Sequence, residues 1–194
     1  HLDDSISTLA RQSWWRKGAG KGEDVNLWYR PLDPERDRER YLDARRDAWI
    51  SIYGADVPFD GPAFWEGALQ AMERSPWAVS AVMAKGEFAG VLQLSPQRCQ
   101  EEGAGFVALC YLTPAFRGRG LGVQLLGQAV SFFRPLGRDT LRLRSSATNE
   151  PLQRFCVKYG FQKTGQEQAG GRVLDIWEKY IGFDVPAGRA PEPV

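Results

Sequence analysis

The sequence predicts an α/β protein with a mixed central sheet of about seven strands and helices on both faces, in the order β-αα-βββ-α-β-α-ββ. Three observations carry that prediction. Apolar periods of two and of about 3.6 residues alternate along the chain. Gly and Pro residues mark the points where the period changes. A chain of 194 residues that is 43% hydrophobic suffices for one domain with a full core.

Residues 1–22 read as an N-terminal extension, with a short amphipathic helix over 1–16 and a Gly/Lys joint after it. The domain is expected over 23–181, and 182–194 form a Pro- and Gly-rich tail. Val25 to Arg30 is the first strand, closed by Pro31 and Pro34. Residues 35–53 have helical spacing, with Tyr41, Leu42, Ala48, Trp49, Ile52 and Tyr53 on one stripe. The Glu, Arg and Asp residues of the other face read as a solvated surface. Phe64 to Met72 forms a second helix, and Trp77–Ala84 with Phe88–Leu94 forms a hairpin around Lys85-Gly86. Phe106–Leu112 is a strand that enters a Gly-rich turn and a helix over Leu121–Phe133, stopped by Pro135 and Gly137. Thr140–Arg144 alternates as a strand. Asn149 caps a helix with Pro151 in its first turn and Gly160 at its end. Phe161–Thr164 and Val173–Tyr180 close the fold as a hairpin through Gly170-Gly171.

Composition narrows the chemistry. Twenty-five Lys and Arg stand against 24 Asp and Glu, so no strong field draws the chain to nucleic acid or an anionic membrane. No apolar run approaches a membrane span, and a cytosolic (cytoplasmic) protein is expected. His1 is the only histidine, and the cysteines Cys99, Cys110 and Cys156 are far apart, so no metal site or disulfide framework is expected. Catalysis must then use carboxylates, hydroxyls, a thiol, backbone amides or water.

The segment Leu112-Thr113-Pro114-Ala115-Phe116-Arg117-Gly118-Arg119-Gly120-Leu121-Gly122 leads from a strand into a helix through alternate glycines. Glycine lets amides approach an anion, and a helix start adds partial positive charge. Two readings stand: a pyrophosphate cradle, and a tight turn with two solvated arginines. Val123 stands where a dinucleotide fingerprint needs its third glycine, and no Gly-Lys-Ser/Thr follows as in a nucleotide loop.

Arg117-x-x-Gly120-x-Gly122 resembles the Arg/Gln-x-x-Gly-x-Gly/Ala motif of the GCN5-related N-acetyltransferases. Phe106 to Pro114 is similar to that family's strand into the loop, and Asn149 to Phe161 is similar to its later helix. The resemblance covers about 24–181. It implies a GNAT-like sheet and acetyl-CoA as acyl donor, with the pyrophosphate on amides of Arg117, Gly118, Arg119, Gly120, Leu121 and Gly122. It implies that pantetheine pairs with the strand near Leu112 and Thr113, splayed from Thr140–Arg144, and hydrogen-bonds Asn149. The reaction implied is direct attack by an amine, with the carbonyl oxygen held by an amide near Leu112.

The sequence departs from the family where many members place a Tyr acid: that position is Cys156. A thiol matches the leaving thiolate in reference pKa, and the competing reading is a small buried hydrophobe. Tyr159 is a second candidate acid. No carboxylate lies within Phe106–Leu112, so Glu102, just before it, is the candidate base, alongside Glu101, Asp56, Asp60 and Glu66. Trp49, Tyr53, Phe59, Phe64 and Trp65 cluster in the region expected to hold the acceptor and suit an apolar or aromatic amine, or a cation over rings. For Trp49 and Tyr53 helix packing is the favoured alternative. The leading function is acetylation of a small-molecule amine. Acetylation of a protein N-terminus or lysine, and a non-catalytic CoA-binding regulator, are the alternatives, and a homodimer is left open.

Overall fold

The computed structural model describes residues 25–183. Seven strands form one sheet: β1 (Leu27–Pro31), β2 (Val79–Ala84), β3 (Glu87–Ser95), β4 (Ala104–Leu112), β5 (Thr140–Ser146), β6 (Gln162–Ala169) and β7 (Arg172–Tyr180). Four helices connect them: α1 (Arg38–Tyr53), α2 (Gly61–Arg74), α3 (Gly122–Phe133) and α4 (Glu150–Lys158). The chain order is the predicted one, and the spatial order is β1-β2-β3-β4-β5-β7-β6. The expected N-terminal extension and nearly all of the expected tail lie outside the described residues.

Local chemistry sets the boundaries. Asp60 accepts the Ala63 N–H at 3.0 Å and starts α2. Asn149 Oδ1 accepts the Leu152 N–H at 3.2 Å and starts α4. Lys85 and Gly86 both take positive φ in the β2–β3 turn, as a two-residue hairpin requires. β6 is longer than the predicted Phe161–Thr164. Its second half, Gly165-Gln166-Glu167-Gln168, has no apolar alternation because it is an edge strand paired only with β7.

Two apolar layers sandwich the sheet. On one face Tyr41, Ala44, Trp65 and Ala68 of α1 and α2 pack on Val79, Ala81, Val91 and Leu109. On the other, Val123, Leu125, Leu126, Ala129, Val130 and Phe133 of α3 pack on Val82, Leu92, Val107 and Leu141. The Gln124 amide clamps β1 to α3, accepting the Leu27 N–H and donating to the Val25 carbonyl, both at 2.8 Å.

One topological feature creates the site. β4 and β5 run parallel, but they pair only where Ala104, Gly105 and Phe106 face Thr140, Leu141 and Arg142. Beyond Phe106 the strands separate, and a cleft opens in the middle of the sheet.

Candidate active site

The cleft has a volume of about 760 Å³. Its floor is β4 from Phe106 to Leu112 and β5 from Leu143 to Ser146. Trp49, Ile52, Tyr53 and Phe64 wall one side, and Asn149, Leu152 and Phe155 the other.

The strand edge facing the cleft carries amides without a strand partner. The Thr113 N–H donates to the Ala89 carbonyl at 2.8 Å, and Leu112, Tyr111 and Cys110 pair in register with Gly90, Val91 and Leu92. Because donors alternate sides in an antiparallel ladder, the Cys110 and Leu112 N–H groups point away from β3, into the space that β5 has left.

The glycine turn follows directly. A 3₁₀ turn, Pro114–Phe116, leads to Gly118 and Gly120, both left-handed at φ 70° and 72°. The amides of Gly118, Gly120 and Gly122 donate to no main-chain carbonyl. No atom lies within 4 Å of where a Cβ would stand on Gly118 or Gly120, so the approach to these amides is open. α3 begins at Gly122, adding the N–H groups of Gly122 and Val123, which donate to no main-chain carbonyl. The residues present therefore fit a diphosphate.

Arg117 does not turn its guanidinium to those amides. Its Nε donates to the Leu112 carbonyl at 2.8 Å and its Nη2 to Asp47 Oδ2 at 2.7 Å. Tyr111 Oη donates to the same Asp47 oxygen at 2.6 Å. Hydrogen bonds from Tyr111 and Arg117 hold the Asp47 carboxyl below its usual range. Burial, then the Asp47 bond, pushes the Tyr111 phenol up to about 12. This cluster ties α1 to the loop.

The aromatic residues divide. Trp49, Tyr53 and Phe64 line the cleft. The packing reading holds for Trp49 too, whose ring lies 4.3 Å from Tyr53 and 5.9 Å from Phe64. Phe59 stacks on Phe64 at 5.3 Å without lining the cleft. Trp65 belongs to the core, its ring 5.6 Å from Tyr41.

Four expectations need correction. Cys156 is fully buried in the α3-side core and does not line the cleft. Burial pushes its thiol up to about 12, so the match to a leaving thiolate does not hold. Tyr159 is buried in the same core, its ring 4.9 Å from Phe155. Glu102 lies beyond the start of β4, ion-paired to Arg142 at 2.5 Å and about 25 Å of strand from Leu112. The charged face of α1 is also not wholly solvated, since Arg45 and Asp47 line the cleft. The signal for Arg45 was in the sequence: it stands four residues after Tyr41, on the apolar stripe itself.

A packing role for Cys156 has a measurable consequence. Cys156→Ala is expected to lower stability by about 1–2 kcal/mol, the size of a small core deletion, with kcat of the folded protein unchanged. Thermal melts and initial rates on the same preparations check this, and a tenfold fall in kcat at unchanged stability would restore the acid.

A sheet split between two parallel strands, with a glycine-rich anion loop at the mouth of the split, defines a fold built for a ligand that has a diphosphate and an extended arm. The chain matches the Acetyltransferase (GNAT) family over residues 33–161 and belongs to that family. Solved structures agree on the fold. An N-acetyltransferase from Thermoplasma acidophilum, in complex with coenzyme A, is 20% identical with a TM-score of 0.62, covering 80% of this chain and 99% of that one. A putative acetyltransferase from Salmonella typhimurium with acetyl-CoA is 18% identical with a TM-score of 0.59, covering 87% and 99%. A ribosomal-protein-alanine N-acetyltransferase from Brucella melitensis is 20% identical with a TM-score of 0.62, covering 79% and 99%. No curated protein matches the chain significantly.

Proposed function

We propose that the protein transfers an acetyl group from acetyl-CoA to the amine of a small molecule. The observation that carries this reading is the continuity of loop, strand edge and cleft. Open amides at Gly118, Gly120 and Gly122 suit the pyrophosphate, and the unpaired edge of β4 suits the amide arm behind it. Asn149 caps α4 through its Oδ1, which leaves its amide nitrogen to donate toward the arm.

The chemistry follows from position. The attacking amine nitrogen bonds to the thioester carbon, the carbon–sulfur bond breaks and the sulfur leaves as thiolate. The Leu112 N–H, aimed into the cleft, supplies a donor for the oxygen on which charge develops. Asp47 is the one carboxylate lining the cleft among the described residues, and Tyr111 and Arg117 already occupy it. The amine proton is therefore assigned to water.

The small-molecule acceptor is supported by a contact beside the cleft, at Tyr53. The tip of the β6–β7 hairpin meets the end of α1, with Arg172 Nη2 3.4 Å from the Tyr53 carbonyl oxygen. A Cβ on Gly170 would stand 2.9 Å from the Tyr53 ring, so the two elements are in contact. That contact narrows the space beside Tyr53, which favours a small acceptor over a protein segment.

Acetyl-CoA and CoA at millimolar concentration are expected to raise the melting temperature by several degrees, since they bind only the folded state. NAD and ATP should not. Differential scanning fluorimetry checks this, and equal shifts from all four ligands would remove the assignment of the loop.

A further inference from the structure

The charges inside the cleft do not balance. Four charged side chains line it among the described residues: Arg45, Asp47, Arg117 and Arg144. Asp47 pairs with Arg117 at 2.7 Å, and Arg144 pairs with Glu167 of β6. Arg45 is left with neutral partners. Its Nη2 donates to Gln93 Oε1 at 2.5 Å, its Nε to Tyr41 Oη at 3.2 Å and its Nη1 to the Ala108 carbonyl at 3.5 Å. Tyr41 Oη also donates to Gln93 Oε1, at 2.7 Å.

This arrangement holds a half-buried guanidinium in a fixed pose beside rings of Phe64 and Tyr41, 5.0 and 5.8 Å from their centroids. A half-buried charge left with neutral acceptors gains from a counter-ion that reaches it. Guanidinium geometry suits a carboxylate, which it can hold with two parallel hydrogen bonds. The neighbouring wall is apolar: Trp49, Ile52, Tyr53 and Phe64. A cationic acceptor held over these rings would meet Arg45 as a like charge.

Resting on the acetyltransferase reading above, we infer that the acceptor is an amine that also carries a carboxylate and an apolar side group, with Arg45 as the carboxylate anchor. The carboxylate pairs with Arg45 beside Ala108, and the apolar group lies against Trp49, Tyr53 and Phe64. The anchor turns the amine toward the β4 edge that presents the Leu112 N–H.

The test uses thiol release from acetyl-CoA with three matched acceptors: phenylalanine, phenylalanine amide and phenethylamine. The two carboxylate-free compounds bracket phenylalanine in amine basicity, so a preference for the acid reports its carboxylate. The expected kcat/KM for phenylalanine exceeds that for either carboxylate-free compound by about thirtyfold or more, the size of a hydrogen-bonded charge. Arg45→Gln should bring the three within about threefold of one another, mainly by raising KM for phenylalanine. Gln93→Glu provides a second route. It keeps an acceptor for Tyr41 and Arg45 but neutralises Arg45 internally, and should give the same collapse. Equal rates for the three acceptors in the parent protein would overturn the anchor while leaving the acetyltransferase reading intact. A preference that survives both substitutions would also overturn it. No thiol release with any of the three, in protein that acetyl-CoA still stabilises, would overturn the anchor and the small-molecule reading together.

Discussion

Gly120→Asp is expected to weaken CoA binding about a hundredfold or more while leaving the fold nearly intact. Gly120 sits at φ 72°, and the space around its missing Cβ is empty to 4 Å. The fold therefore loses only the cost of a left-handed Asp, about 1–2 kcal/mol and a few degrees of melting temperature. Binding loses far more. The new carboxylate stands where the diphosphate must meet the Gly118, Gly120 and Gly122 amides, and two unit charges 4 Å apart repel by about 4 kcal/mol at an effective dielectric constant near 20. Calorimetric titration with CoA, beside a melt of the free protein, checks both halves. A folded variant that bound CoA like the parent would place the diphosphate elsewhere.

The opposite pattern is expected at Gly105. It lies in the three-residue stretch where β4 and β5 still pair, just before they separate. A Cβ there would stand 2.3–2.6 Å from three ring atoms of Phe133, which is fully buried. Neither ring nor strand has room to move, so Gly105→Val should cost about 3 kcal/mol, at the upper end of overpacking. For a chain of this size that lowers the melting temperature by about 6–12 °C. CoA affinity of the folded fraction should change little, because the loop and Leu112 are at the other end of β4. Loss of binding without loss of stability would contradict the core role. Together the two glycines separate the ligand cradle from the core that holds it.

Much of this was readable from residue spacing. The order of elements follows from alternating periods, and the loop from its glycines between a strand and a helix start. The reach of β6 was not readable, since an edge strand of Gln and Glu buries no face. Roles that depend on a third dimension were also hidden. Cys156 occupies the family's acid position in sequence, yet the α4 register turns it into the core. Glu102 precedes the right strand but at its wrong end. Asp47 looks like a member of a surface charge run, and only the placement of α1 over the β4–β5 split brings it into the cleft beside Arg45.

The most direct measurement of the central claim follows the acetyl group itself. The protein is mixed with acetyl-CoA labelled in the acetyl carbon and a panel of small amines and model peptides, and label and free thiol are counted over time. Direct transfer predicts one thiol released for each label recovered on the small amine, with no label retained on the protein. Label recovered only on a protein or peptide acceptor, or CoA bound with no thiol released, would contradict it.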